Sequence, residues 1–155
     1  MKLTLMCAKS ENDVIGNDNK LPWSIKDDLK LFASITKKAG FVLMGRSTFE
    51  SMGSKPLPER ENIILSTTMD KDTGDEDIIV VDSIEEFMCM FDDVDCEVVV
   101  IGGSKVYDQF VDLVEVMYIS EIDCEIDGDS YFPSVDYDLF EMETVECFPE
   151  DERNE

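Results

Sequence analysis

The chain has 155 residues, 43% of them hydrophobic and 32% charged, with a formal net charge of −24 at pH 7. This describes one globular domain with a real core rather than a disordered chain. The charge argues against binding to nucleic acid or an anionic membrane, and no apolar run approaches the roughly 20 residues of a membrane span.

The elements alternate along the chain. Residues 2–9 predict a first strand, since the N-terminus is too short and too polar at its end for a signal peptide. Residues 10–20, with Gly16 and several Asn and Asp, predict a polar loop. Ser24 suits a helix N-cap, and Asp27 can close a variant of the capping box. The helix runs to about Lys38, with Gly40 as its stop. Phe41–Met44 predicts a buried strand, and Gly45–Gly53 turns into a short helix. After the rigid Pro56-Leu57-Pro58, strands are predicted at Asn62–Ser66 and Ile78–Val81, separated by an acidic loop over 69–77. Asp82 or Ser83 caps a helix to about Phe91, and Glu97–Ile101 is a strand ending at Gly102-Gly103, where another helix departs. Residues 115–122 and 139–147 predict a closing antiparallel pair. Short apolar runs alternating with helices mean a mostly parallel sheet covered on both faces. Residues 1–149 are expected to form a single domain and 150–155 an acidic tail.

Residues 1–60 carry ten basic and seven acidic side chains, whereas residues 61–155 carry three and thirty. Beyond residue 60 an anionic ligand therefore finds cations only at Lys71, Lys105 and Arg153. Five scattered cysteines, without a CxxC and without any histidine, point to reduced thiols in a cytoplasm. They also argue against a zinc site and against imidazole chemistry; no metal is expected.

Two features carry chemistry. Ile25, Leu29, Leu31, Phe32 and Ile35 recur near helical spacing, and Asp28 falls close to the middle of that stripe. A carboxylate there is either partly desolvated and in need of a partner, or a first-turn acid that complements the helix dipole and reaches water. Second, Gly45-Arg46-Ser47-Thr48 and Gly102-Gly103-Ser104-Lys105 each follow a strand and open a helix. Free N–H groups, hydroxyls and one cation at such a turn suit a phosphate. Either turn alone could be an ordinary connection.

Several blocks together resemble dihydrofolate reductase. They are Val14-Ile15-Gly16 with Leu21-Pro22-Trp23, Asp28-Leu29 with Phe32, and Met44 through Gly53. Pro56-Leu57-Pro58 with Arg60, Asn62 through Ser66, and Val100-Ile101-Gly102-Gly103 with Val106-Tyr107 continue the match, which ends at Asp127-Gly128-Asp129 with Tyr131-Phe132-Pro133. They stand in family order and spacing over residues 3–133.

The resemblance implies a dihydrofolate-reductase-like α/β fold and reduction of 7,8-dihydrofolate to 5,6,7,8-tetrahydrofolate by NADPH, in support of one-carbon and thymidylate metabolism. Asp28 would accept hydrogen bonds from the 2-amino group and N3 of the pterin, with Leu21 and Trp23 beside the reacting rings. Met6 and Ile101 would offer main-chain carbonyls, and Ala8, Leu29, Phe32, Met52 and Tyr107 would join Leu21 in the walls. Ser120 would bring a hydroxyl to the buried acid, and Arg60 would bind the glutamate α-carboxylate. The nicotinamide would lie near Ala8, Ile15, Gly16 and Trp23. Gly45, Ser47 and Thr48 would hold the pyrophosphate, together with Gly102, Gly103, Ser104, Lys105 and Val106. Arg46, Ser66 and Thr67 would take the 2′-phosphate, although Asp70 and Asp72 nearby weaken that attraction. A cis Gly102-Gly103 bond, a lid over 10–20 latched by Asp129, a water that protonates N5, a monomeric state and antifolate binding are also implied.

Two features depart from the family pattern. With only Glu150–Glu155 after Pro149, one strand fewer than in the family is expected, and the net charge is extreme. The alternatives are a catalytically idle acidic interaction module with the same fold, and a same-fold reductase of a pyrimidine intermediate in riboflavin synthesis.

Overall fold

In chain order the elements are β1 (Lys2–Ser10), β2 (Val14–Gly16), α1 (Lys26–Ala39), β3 (Gly40–Gly45), α2 (Arg46–Ser51) and β4 (Glu61–Leu65). They continue with β5 (Ile78–Val81), α3 (Ile84–Phe91), β6 (Glu97–Gly102), α4 (Ser104–Phe110), β7 (Val116–Ile122) and β8 (Ser130–Tyr131). The computed structural model describes residues 1–10, 12–16, 26–122 and 130–133. The expected strand at 139–147 and the acidic tail lie outside the described residues, as does the C-terminal edge of the sheet.

The apolar runs become buried strands. Val42, Leu43 and Met44 in β3 and Val98, Val99 and Val100 in β6 have no exposed surface, so both faces of the sheet are covered there. Six strands lie in the order β5-β4-β3-β6-β1-β7, and every pair is parallel. Phe87 and Phe91 of α3 and Val106, Tyr107 and Phe110 of α4 pack on one face with Leu3, Leu5, Leu43 and Ile63. On the other face Phe49 of α2 packs on Val42, Met44, Ile64 and Val80. The caps at Ser83 and Gly40 follow the sequence, whereas the expected Ser24 cap of α1 lies outside the described residues. Ser83 caps α3 by accepting from the Glu86 N–H, and Gly40 takes φ +88 where α1 gives way to β3. No helix among the described residues is long and apolar enough to cross a membrane.

The expectation of a polar loop over 10–20 needs correction. Val14 to Gly16 form β2, which pairs antiparallel with β8, and Val14 and Ile15 are buried. Ile15 packs with Tyr107 and Phe132, and residues 130–131 return to pair with β2, a pairing of which local composition carries no sign. Lys9 anchors this corner. It is 7% exposed, and its Nζ lies 2.6 Å from Asp13 Oδ1 and 5.6 Å from the centre of the Phe132 ring.

Few of the exposed acids have partners. Asp70, Asp72, Asp75, Glu76, Asp92, Asp93, Asp95, Asp108, Asp112 and Glu115 are exposed and make no ion pair among the described residues. Self-repulsion of this kind opposes the compact state. The Debye length falls from about 30 Å at 0.01 M salt to about 3 Å at 1 M. The melting temperature is therefore expected to rise steadily as sodium or potassium chloride is added. A flat or falling melting curve over that range would show that the acids are already compensated.

Candidate functional site

The sheet opens at the carboxyl ends of its middle strands. β1 and β6 stay paired up to Leu5–Val100, while β3 and β6 shift register between Leu43 and Met44. Because β6 returns to lie between β1 and β3, the strand order reverses here, and ligands bind at such reversals. A cleft of about 990 Å³ occupies this place.

One part of the cleft is apolar. Met6, Cys7 and Ala8 of β1, Ile15 of β2, Phe32 of α1, Met52, Leu57 and Ile101 line it. The Tyr107 hydroxyl donates to the main-chain carbonyl of Met6 at 2.8 Å, and so fixes the strand end that carries an expected acceptor. Ser120 pairs with the lining residue Ala8 across β7 and β1 and does not itself line the cleft. Asp28 lies in α1 one turn before Phe32, on the helix that forms this wall. The side chains of Asp28 and Leu29 lie outside what is described, as do Leu21, Trp23 and Asp129.

Arg60, an expected ligand three residues beyond the lining residue Leu57, is not itself among the residues that line the cleft. It is 7% exposed, yet no carboxylate pairs with it among the described residues. Its Nε donates to the Pro58 carbonyl at 2.9 Å and its Nη1 to Thr36 Oγ1 at 2.8 Å. Thr36 in turn donates to the Phe32 carbonyl at 2.7 Å, which ties the guanidinium to the cleft wall. Burial pushes the Arg60 pKa down, and Glu59 partly offsets this. An arginine starts so far above neutrality that the group stays charged. A buried cation without an anion is costly, so an anionic ligand group suits this position.

The other part of the cleft is polar. Gly45, Arg46, Ser47 and Thr48 at the start of α2 face Gly103, Ser104, Lys105 and Val106 at the start of α4, with Ser66 and Thr67 beyond β4. The two helix starts are in close contact. A Cβ on Gly45 would lie 3.0 Å from Val106 Cγ2, and one on Gly103 would lie 3.4 Å from Thr48 Oγ1. Free N–H groups from two turns and the cation of Lys105 therefore converge, and they fit a pyrophosphate. The Gly102-Gly103 peptide is cis, as expected. Gly102 has φ +115, and a Cβ there would meet the Tyr107 ring at 3.1 Å. Gly102→Ala is expected to cost roughly 2 kcal/mol of stability or more, from backbone strain and the displaced ring. Chemical denaturation measures this, and an unchanged midpoint would contradict it.

Sequence reasoning missed part of the lining. Asp82 and Ser83, between β5 and α3, and Ile84 and Glu85, at the start of α3, line the polar end, and Ser51, Leu65 and Gln109 also line the cleft. The signal was available, because β5 ends at the same edge of the sheet. Arg46 bonds to Thr68, at 2.6 Å from Nη1 to Oγ1, which the expected set of Ser66 and Thr67 omitted. Gly102 adjoins lining residues rather than lining the cleft itself, and Gly16 follows the lining residue Ile15 in β2.

A parallel sheet with two helix starts, the cationic side chains of Arg46 and Lys105 and an apolar recess at its carboxyl edge defines a nucleotide-cofactor enzyme of the α/β class. The dihydrofolate reductase family model matches residues 2–155. The chain is 38% identical to dihydrofolate reductase from Haemophilus influenzae over 99% of its length and 92% of that protein's. It is 42% identical to dihydrofolate reductase type 15 from Escherichia coli, over 87% of this chain and 83% of the relative. A solved structure, dihydrofolate reductase from Enterococcus faecalis complexed with NADP(H) and RAB-propyl, superposes with a TM-score of 0.88 at 34% identity. That match covers 99% of this chain and 89% of the other. The chain belongs to the dihydrofolate reductase family.

Proposed function

We propose the following division of labour for the family's reaction, the reduction of 7,8-dihydrofolate to 5,6,7,8-tetrahydrofolate with NADPH. The observation that carries it is the single cleft that joins an apolar recess to two phosphate-type turns. The pterin occupies the recess, with Phe32, Met52, Leu29 and Leu21 excluding water. Asp28 accepts from the 2-amino group and N3, and the Met6 and Ile101 carbonyls take further ring donors. Ser120 supports the buried acid. Arg60, held by Pro58 and Thr36, binds the glutamate α-carboxylate through its remaining donors.

NADPH, when bound, supplies the hydride to C6. Gly45, Ser47, Thr48, Gly103, Ser104 and Lys105 hold its pyrophosphate, and Arg46, Ser66 and Thr67 its 2′-phosphate. Ala8, Ile15, Gly16 and Trp23 keep the nicotinamide against the pterin. The proton on N5 comes from water, while Asp28 orients the ring and tunes its basicity. The protein contributes orientation and exclusion of solvent. Antifolates compete in the same recess. The enzyme works in the cytoplasm as a monomer, one domain over residues 1–149.

Trp23 is the chain's only tryptophan, which makes this arrangement testable. NADPH binding is expected to quench its fluorescence and to sensitise emission from the reduced nicotinamide. Saturation with NADPH that leaves both signals unchanged would place the nicotinamide away from Trp23.

A further inference from the structure

Arg46 is already engaged on the surface that lines the cleft. Its Nε donates to Glu50 Oε1 at 2.6 Å, and its Nη1 to Thr68 Oγ1 at 2.6 Å. Of its five N–H donors, one on Nη1 and two on Nη2 are left for a ligand. Arg46 and Glu50 stand one helical turn apart in α2, both about half exposed. A 2′-phosphate bound by Arg46 would therefore lie one guanidinium away from the Glu50 carboxylate.

The surroundings do not offset that carboxylate. Lys71 is drawn to Glu86 at 2.5 Å and to Asp82 at 3.5 Å. Asp82 and Glu85 line the same end of the cleft. Thr68 carries no charge, so its bond to Arg46 orients the guanidinium without weakening its field. Glu50 does both: it orients Arg46 and opposes any anion that Arg46 binds.

We propose that Glu50 is a specificity-determining residue that limits the preference for NADPH over NADH. The proposal rests on the reading of Arg46 as the 2′-phosphate ligand. Glutamate at this position neutralises much of the charge that distinguishes the two cofactors, and the penalty falls on NADPH alone.

The test is a set of binding titrations with NADPH and NADH at low ionic strength, on wild type, Glu50→Gln, Arg46→Ala and the double variant. Glutamine keeps an oxygen that accepts from Arg46 Nε and removes only the charge. Glu50→Gln is expected to tighten NADPH about three- to tenfold and to leave NADH within about twofold. Glu50→Ala, a second variant at the same exposed position, should shift the ratio in the same direction. In the Arg46→Ala background the gain should shrink to less than about twofold, because without Arg46 nothing holds the 2′-phosphate beside Glu50. If Arg46→Ala lowers the NADPH-to-NADH affinity ratio but Glu50→Gln leaves it unchanged or lower, the proposal fails and the reading of Arg46 stands. If Arg46→Ala leaves the ratio unchanged, that reading fails and takes the proposal with it. A gain that persists in full in the double variant would also overturn the assignment.

Discussion

Asp28→Asn is expected to lose about a hundredfold or more of kcat/KM with dihydrofolate at neutral pH, while remaining folded. Hydrogen bonds to a charged acceptor contribute roughly 1.5–3 kcal/mol each, and Asp28 is assigned two of them. Asparagine offers one carbonyl oxygen and turns an N–H toward a ring edge that itself donates, so the second bond becomes a clash of donors. Without substrate a desolvated acid is a liability, and its removal can raise stability. Steady-state kinetics with a parallel melting curve separates the two effects. A folded variant with near wild-type turnover would end the assignment of Asp28.

Arg46→Ala is expected to weaken NADPH by about 10- to 150-fold, the equivalent of roughly 1.5–3 kcal/mol for lost bonds to a phosphate. NADH lacks the 2′-phosphate and should change by less than about threefold. The substitution also removes the pair with Glu50, but a half-exposed ion pair contributes roughly 0–1 kcal/mol at most, so the melting temperature should barely move. Equal losses for both cofactors would place Arg46 outside the 2′-phosphate site.

The sheet was legible because its strands are short apolar runs closed by glycine or polar turns, and burial on both faces requires that pattern. Gly45-Arg46-Ser47-Thr48 and Gly102-Gly103-Ser104-Lys105 were legible as helix-opening turns rich in donors for a local reason, since the hydroxyls and the cation are neighbours in the chain. What escaped depends on distant returns. Val14 and Ile15 join a strand only because residues 130–131 come back to them. Arg60 is buried between Pro58 and Thr36, which are 22 residues apart in sequence and whose meeting no local pattern encodes. The acidic wall at Asp82 and Glu85 reads as an ordinary helix cap until β5 is seen to end beside the cleft. The role of Asp28 was suggested by its place on an apolar stripe, a pattern equally consistent with an acid at the helix N-terminus. The family resemblance, and not periodicity, favoured a ligand.

The most direct measurement is the oxidation of NADPH by the purified chain on addition of 7,8-dihydrofolate, followed by absorbance, with tetrahydrofolate identified as the product. The expected result is one NADPH consumed for each tetrahydrofolate formed, slower turnover with NADH at equal concentration, and inhibition by an antifolate that competes with dihydrofolate. A folded, monomeric protein that binds NADPH but leaves it unoxidised in the presence of dihydrofolate would contradict the account, and would leave this chain as a member of the family that has kept the fold without the reaction.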